Sequence, residues 1–113
     1  MTYNLLLHPN LEEDAGAERQ YYDAKAPGLG QEFLQVFYAS ATDIPCNPML
    51  YRKVYGEFRR RLMSKFPFAL YFRVIGEDVI VFGLFHCARD PRTIKKALRA
   101  RKHTPTGFMQ PWP

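Results

Sequence analysis

The sequence predicts an α+β domain of two layers, in which a helical hairpin packs on one face of a small β-sheet. Two observations predict this class. Two amphipathic segments with helical periodicity follow one another in the first half of the chain, and three short runs rich in Val, Ile, Phe, Tyr and Leu follow one another in the second half. An amphipathic hairpin must bury its apolar face, and one face of a sheet is the natural partner. The predicted order is strand, helix, helix, strand, strand, strand and a short C-terminal helix.

A short strand and a first helix begin the chain. Residues 2–8 predict a strand, which Pro9 ends. Asn10 is a suitable N-cap, and the acidic residues that follow it suit the positive end of a helix. Mostly apolar residues recur at helical spacing, so the first helix is predicted at about 11–25.

A second helix follows a break at Pro27–Gly30. Apolar residues again recur at helical spacing over about 30–44, and Pro45 ends the run. Because the break between the two helices is short, they are predicted to form an antiparallel hairpin.

The second half of the chain predicts a three-stranded meander. Its three runs are Phe58–Met63, Phe68–Ile75 and Val79–Phe85. Gly76 stands where a tight two-residue turn needs a positive φ, so it is expected to join the last two strands. Pro67 has no N–H for the ladder and suits the start of the middle strand. With the first strand, the sheet is predicted to have four strands.

A short helix and a tail are predicted to end the chain. Asp90 is a good N-cap and Pro91 suits the first helical position. The run 92–102 is compatible with a helix but very basic, and the segment 103–113 that follows is expected to lack regular structure; residues 99–113 are described together as a basic, proline-rich tail outside the core. No repeat or linker divides the sequence, so 1–113 is predicted as a single domain with a core at about 2–98. The core is expected to contain Phe33, Phe37, Leu70, Phe72, Val81 and Phe85.

Charge is divided unevenly along the chain. The net charge is +5, but residues 1–50 carry seven acids and two bases (−5), and the remainder carries four acids and fourteen bases (+10). A basic surface of this kind attracts RNA, DNA or an acidic protein segment, although it is equally consistent with a solvated surface that keeps the protein soluble.

The sequence also predicts the cellular location of the protein, the state of its cysteines and its need for a cofactor. No apolar run approaches the length of a membrane span, and the N-terminus lacks the pattern of a signal peptide, so a cytoplasmic location is expected. Cys46 and Cys87 are predicted to remain thiols. No Cys, His, Asp or Glu cluster has metal-ligand spacing and no Gly-rich phosphate loop is present, so no cofactor is expected.

Three consecutive arginines lie on the first strand of the meander. Strand alternation places Arg59 and Arg61 on one face and Arg60 on the other. Arg60 shares its face with Phe58 and Leu62, so it is predicted to lie on the side of the helices, at the sheet edge or paired with an acid of the hairpin. Arg59 and Arg61 are predicted to be the surface groups.

The element order and several short motifs together resemble the RelE/ParE superfamily of bacterial toxins. The resemblance covers about residues 3–98. The matching residues are Tyr21-Tyr22, Gly30 followed by Phe33-Leu34, Asn47-Pro48, Arg59-Arg60, Phe66-Pro67-Phe68 with Tyr71 and Arg73, and His86-Cys87-Ala88-Arg89-Asp90-Pro91.

The resemblance implies a toxin that a cognate antitoxin neutralises. RelE-like members enter the ribosome and cleave mRNA, whereas ParE-like members bind and poison DNA gyrase and have no known catalytic residues of their own. RelE-like nucleases often carry a tyrosine near the C-terminus, but this chain has none after Tyr71. That departure favours the ParE-like subgroup and a protein that is not an enzyme. A ribosome-dependent endoribonuclease is the alternative, and an inactive relative that only binds its antitoxin is a third hypothesis.

Cationic side chains along the meander are the candidate site residues. The residues predicted to bind the target, gyrase or ribosome, are Arg59, Arg61, Arg73 and Arg89. Under the nuclease hypothesis the catalytic candidates are His86, Arg89, Arg73 and Arg59. His86 would act as acid or base, because its unperturbed pKa lies near 6.5, and the arginines would stabilise the transition state. A histidine late in a strand is also consistent with a purely structural role.

Overall fold

Five strands and three helices make up residues 3–102, the part of the chain that this computed structural model describes. The elements are β1 (Asn4–Leu7), α1 (Pro9–Lys25), α2 (Leu29–Asp43), β2 (Lys53–Tyr55), β3 (Phe58–Leu62), β4 (Phe68–Ile75), β5 (Asp78–His86) and α3 (Pro91–Lys102), with short 3₁₀ turns at Ile44–Cys46 and Pro48–Leu50.

The strands form one sheet in the order β1-β5-β4-β3-β2. β1 runs parallel to β5, and the other neighbours are antiparallel. The meander is confirmed, but the prediction of four strands is wrong, because the segment before the meander also pairs and Lys53 lies opposite Arg59. β2 has only three residues, which is too short for a periodic pattern to identify it.

The helical hairpin packs on one face of the sheet, as predicted. Buried residues of α1 and α2 form one cluster with alternate residues of β1, β4 and β5. Five of the six residues predicted for the core lie in this cluster: Phe33, Phe37, Leu70, Phe72 and Val81. The α+β class is therefore confirmed.

The third helix covers the opposite face of the sheet. Ile94 and Leu98 of α3 are buried in a second cluster with Phe58, Phe82 and Phe85. Phe85, the sixth predicted core residue, is thus buried beneath α3 and not beneath the hairpin. The sheet is covered on both faces, so α3 adds a layer to the hairpin and the sheet.

A β-bulge in β5 decides which residues face which helix. Tyr71 lies opposite Gly83 and Phe72 lies opposite Val81, so Phe82 is an extra residue in β5. The extra residue shifts the alternation of side chains by one position. Before the shift Val81 packs toward the hairpin and Phe82 toward α3, in regular alternation. After the bulge Leu84 packs toward the hairpin and Phe85 toward α3.

Arg101 of α3 fastens the helix to the bulge and to α1. Its Nη1 donates to the Phe82 carbonyl at 2.9 Å and to Asp14 Oδ2 at 2.7 Å, and its Nη2 donates to Asp14 Oδ1 at 3.2 Å. The Arg101 and Asp14 side chains are only 13% and 20% exposed. A Cβ at Gly83 would lie 2.5 Å from the Phe85 ring and 3.2 Å from Arg101 Nη1. Glycine therefore leaves the space that this contact occupies.

The first helix begins two residues earlier than predicted. Pro9 is its first residue, and His8 is the N-cap in place of Asn10: His8 Nδ1 accepts a hydrogen bond from the Asn10 N–H at 3.1 Å. Proline suits this position, because the first helical N–H has no partner within the helix. Burial, and then the nearby charge of Arg101, lowers the pKa of His8 and favours the neutral ring that can accept this bond.

The C-terminal helix begins as predicted. Asp90 Oδ1 accepts from the Arg92 N–H at 2.9 Å, and the hydrogen bonds from Arg92 lower the pKa of Asp90. The helix extends through the run 92–102 that the sequence marks as compatible with a helix, and Arg101 in its last turn has partners in other elements. The rest of the predicted tail, 103–113, lies outside the described residues. No helix within residues 3–102 is long and apolar enough to cross a membrane.

Replacing Phe37 by alanine should remove the centre of the cluster beneath the hairpin. Phe37 is 0% exposed, so Phe37→Ala should lower the free energy of unfolding by about 3–5 kcal/mol. Urea denaturation of the purified protein measures it. Leu62→Ala is the control, because Leu62 is 54% exposed and its loss should change the free energy by less than about 0.5 kcal/mol. Equal effects of the two variants would contradict the assigned core.

Candidate functional site

Arg61 fastens β3 to the second helix. Its Nε donates to the Ser40 carbonyl at 3.0 Å, and its Nη2 lies 3.1 Å from Asp43 Oδ2. Its guanidinium also lies over the Tyr51 ring, 5.6 Å from the ring centroid. The side chain is 25% exposed. Arg61 therefore lies on the hairpin side of the sheet and links structural elements.

Arg59 lies on the same face and is also bound. Its Nη1 donates to the Tyr51 carbonyl at 2.6 Å, which ties the segment before β2 to β3. The predicted facing of the three arginines is wrong, because Phe58 packs beneath α3 and not beneath the hairpin. Arg60 therefore lies on the α3 side and is exposed, and the hairpin acid predicted to pair with Arg60 pairs with Arg61.

His86 and Arg89 lie at the end of β5 but contact opposite faces of the sheet. His86 is exposed, its ring lies 5.1 Å from that of Phe68 on the hairpin side, and its Nδ1 accepts from the Ala88 N–H at 2.9 Å. Arg89 lies over Phe85 on the α3 side, 5.8 Å from the ring centroid. The ring of His86 and the guanidinium of Arg89 therefore contact aromatic residues of different hydrophobic clusters.

Arg73 lies in a pocket between the β2–β3 turn and α3, which we call the β2–α3 pocket. Its volume is about 530 Å³. It is lined by Val54, Tyr55, Gly56, Glu57, Phe58, Arg73, Lys95, Leu98 and Arg99. Three cations from two elements, β4 and α3, thus line one concave surface.

Packing fixes the walls of the β2–α3 pocket. The Tyr55 ring stacks on the Tyr71 ring, with centroids 5.9 Å apart and planes 11° apart. Lys95 Nζ lies 5.1 Å from the centroid of Tyr55, and the Arg73 guanidinium lies 5.8 Å from that of Phe58. Leu98 is buried and holds this part of α3 against the sheet. The cations therefore extend from packed elements.

The electrostatics of the β2–α3 pocket favour an anion. Glu57, its acidic residue, is engaged: Lys53 Nζ lies 3.0 Å from Glu57 Oε2. The hydrogen bond and charge of Lys53, with smaller contributions from Arg73 and Arg59, lower the pKa of Glu57. Arg73 Nε is buried and has no hydrogen-bond partner among residues 3–102. Positive charge in the pocket is therefore in excess and partly unpaired.

Of the three cations in this pocket, the sequence predicts only Arg73 as a site residue, and not Lys95 or Arg99. The aromatic ring of Tyr55 is not predicted either. Lys95 and Arg99 flank the apolar Ile94 and Leu98 stripe, and this spacing was the available signal, since residues i and i+4 share a helix face. Nothing local to α3 indicates that this face meets the β2–β3 turn.

The described residues do not provide a metal site. Within residues 3–102 no group of three or more His, Cys, Asp or Glu side chains is arranged to hold a metal ion. Cys46 and Cys87 are exposed thiols and do not form a disulfide.

Comparison with solved structures identifies the fold. A chain of the solved structure "Chromosomal ParDE TA system from P. aeruginosa" matches with a TM-score of 0.69 at 15% sequence identity, over 75% of this chain and 96% of that chain. No protein-family model matches the sequence, and no curated protein matches it. At this identity the likeness shows the fold alone, and the fold agrees with the RelE/ParE-like fold that the sequence resemblance implied.

Removal of the bound Arg61 and removal of the exposed Arg89 should change the free energy of unfolding by different amounts. Arg61→Ala leaves the Ser40 carbonyl and Asp43 without their partner, and should lower the free energy of unfolding by about 1–3 kcal/mol. Arg89→Ala removes an exposed cation and should change it by less than about 0.5 kcal/mol. Urea unfolding at one ionic strength compares them. An Arg61→Ala variant as stable as the unmodified chain would show that Arg61 is a surface group after all.

Proposed function

We propose that this chain is the toxin of a type II toxin–antitoxin pair and acts in the manner of ParE, by binding and poisoning DNA gyrase. The observation that carries the proposal is the likeness of the fold to a chain of the chromosomal ParDE structure, over 96% of that chain. The motifs that resemble the RelE/ParE superfamily support the same conclusion.

The dispersion of the candidate side chains favours binding over RNA cleavage. Cleavage by the 2′-hydroxyl needs a base, an acid and cations around one phosphate. Here Arg61 is hydrogen-bonded to α2 and Arg59 to the Tyr51 carbonyl. Arg73 lines the β2–α3 pocket, near the end of β4 that is far from His86. His86 lies on the hairpin side, away from the face that Arg89 contacts. A protein that binds its target needs no such convergence.

Arg89 is the best candidate among the predicted arginines for contact with gyrase. It is exposed in the turn that follows β5, three residues before Arg92, which is also exposed. A planar guanidinium suits carboxylates and phosphates, because it donates two parallel hydrogen bonds. Acidic protein surface and DNA phosphates both fit this chemistry.

The antitoxin is proposed to bind at the outer end of β3. β2 pairs with β3 as far as the Arg60 N–H, which donates to the Arg52 carbonyl at 3.2 Å. Leu62 lies beyond this point and is exposed, and Leu50 in the segment before β2 is 76% exposed. An amphipathic segment that adds a strand at this edge would cover both leucines. Acidic residues in that segment would meet the basic half of the chain.

Expression of the chain should arrest growth because the protein poisons gyrase. We expect induction to raise an SOS reporter before translation falls, and the purified protein to inhibit supercoiling by gyrase. His86→Ala should leave both effects largely unchanged, whereas Arg89→Ala should weaken both. If the chain were a ribosome-dependent nuclease, mRNA would be cleaved while supercoiling stayed normal, and His86→Ala would slow cleavage by about 10²–10⁴-fold. That outcome would contradict the proposal.

The complex with the antitoxin should depend on salt and on the leucines at the β3 edge. Dissociation constants measured at about 50 and 500 mM salt should rise with salt, because rim charges are screened. Leu62→Asp should weaken binding further at both. Tyr21→Asp is the control, since Tyr21 is similarly exposed at 53% but lies on α1 and not on β3. A salt-insensitive complex that Tyr21→Asp weakens and Leu62→Asp does not would place the antitoxin on the hairpin.

A further inference from the structure

We infer that the β2–α3 pocket binds a phosphate group, carried either by a free nucleotide or by a strand of nucleic acid. This inference rests on the pocket alone and does not require gyrase to be the target. Of the predicted site residues only Arg73 lines the pocket, and Arg59, Arg61, His86 and Arg89 do not.

The charge of the pocket fits a phosphate. Arg73, Lys95 and Arg99 line the same space of about 530 Å³, and its acid, Glu57, is paired with Lys53. Arg73 comes from the sheet and the other two from α3, so an anion between them is contacted from two sides. The buried Arg73 Nε has no hydrogen-bond partner among the described residues. A phosphate between these three cations would accept charge-assisted hydrogen bonds from their exposed donors.

The aromatic wall favours a nucleotide or nucleic acid over an acidic peptide. Tyr55 is held in the wall by its stack on Tyr71 and by Lys95 over its ring. Since Tyr71 stacks on this ring and Lys95 lies over it, the ring offers an apolar edge, and not an open face, to a base or sugar next to a bound phosphate, whereas a carboxylate side chain has no apolar group to place against that edge.

The face of α3 next to the pocket extends the positive surface. Arg92, Lys95, Lys96 and Arg99 are exposed and recur at helical spacing of three or four residues. α3 itself contains no acidic residue, although Arg92 pairs with Asp90 just before the helix at 3.1 Å. Neither Arg92 nor Lys96 lines the pocket, so a bound phosphate is expected to be held by Arg73, Lys95 and Arg99.

The test measures binding of three probes to the full chain and its variants. The probes are a labelled ten-nucleotide single-stranded DNA, followed by fluorescence anisotropy, and ADP and a ten-residue glutamate peptide as competitors. We expect the DNA to bind with an affinity that falls with salt. Lys95→Gln and Arg99→Gln should each weaken binding by about 5–30-fold, and Lys95→Gln should reduce the salt slope by about one.

Matched variants on the same helix separate a site from diffuse attraction. Arg92→Gln and Lys96→Gln remove the same charge from exposed positions of α3 that do not line the pocket, and should weaken binding less than twofold. Lys95 and Arg99 are exposed, so their variants should keep the urea midpoint of the unmodified chain. Arg73→Gln should also weaken binding, and should do so while it keeps the urea midpoint of the unmodified chain.

The outcomes identify the source of the phosphate or overturn the inference. Displacement of the DNA by ADP supports a site that accepts free nucleotides, and DNA binding that ADP does not displace supports a strand. Equal losses for the pocket variants and for Arg92→Gln and Lys96→Gln would overturn the inference. So would a glutamate peptide that displaces the DNA as well as a nucleotide does, or a chain that binds no DNA at low salt.

Discussion

The bulge at Phe82 is the constraint on which the arrangement of this protein depends. A regular strand would present Val81 and Leu84 to opposite faces, but the extra residue lets both pack under the hairpin. The same shift places Phe82 and Phe85 together beneath α3. The Phe82 carbonyl then accepts from Arg101, whose guanidinium also binds Asp14 of α1. One irregularity therefore places side chains of β5 in both hydrophobic clusters and provides the carbonyl that Arg101 of the C-terminal helix binds.

Anchoring α3 across the sheet determines which cations remain available. Arg59 and Arg61 are used within the fold, where they hold the segment before β2 and the helix α2 against β3. Arg89, Arg92, Lys95, Lys96 and Arg99 are exposed at the end of β5 and along α3, and the position of α3 brings Lys95 and Arg99 to the pocket that contains Arg73. The arginines that hold the fold together are thus distinct from this basic surface, which suits acidic or phosphorylated partners and supports the proposal of a protein that acts by binding.

Local patterns predicted the elements well, and the errors come from contacts between distant parts of the chain. Helical spacing and strand composition identified α2 within one residue, β4 at its observed ends and the meander. The facing of Arg59 and Arg61 was wrong because no local pattern shows that α3 returns to cover the second face. The bulge is equally invisible in the sequence, since Gly83 alone does not indicate an extra residue opposite Tyr71 and Phe72. Arg73 was predicted, but its partners in the pocket come from an element about twenty residues away.

The most direct test of this account is a double-mutant cycle between Asp14 and Arg101. Free energies of unfolding would be measured by urea denaturation for the unmodified chain, Asp14→Ala, Arg101→Ala and the double variant. If the part-buried pair anchors α3 to α1, the two substitutions should be coupled by about 1 kcal/mol or more, within the range of about 0.5–3 kcal/mol found for residues in direct contact. Effects that add to within about 0.3 kcal/mol would show that the two side chains act independently, and would contradict the anchoring of α3 to α1.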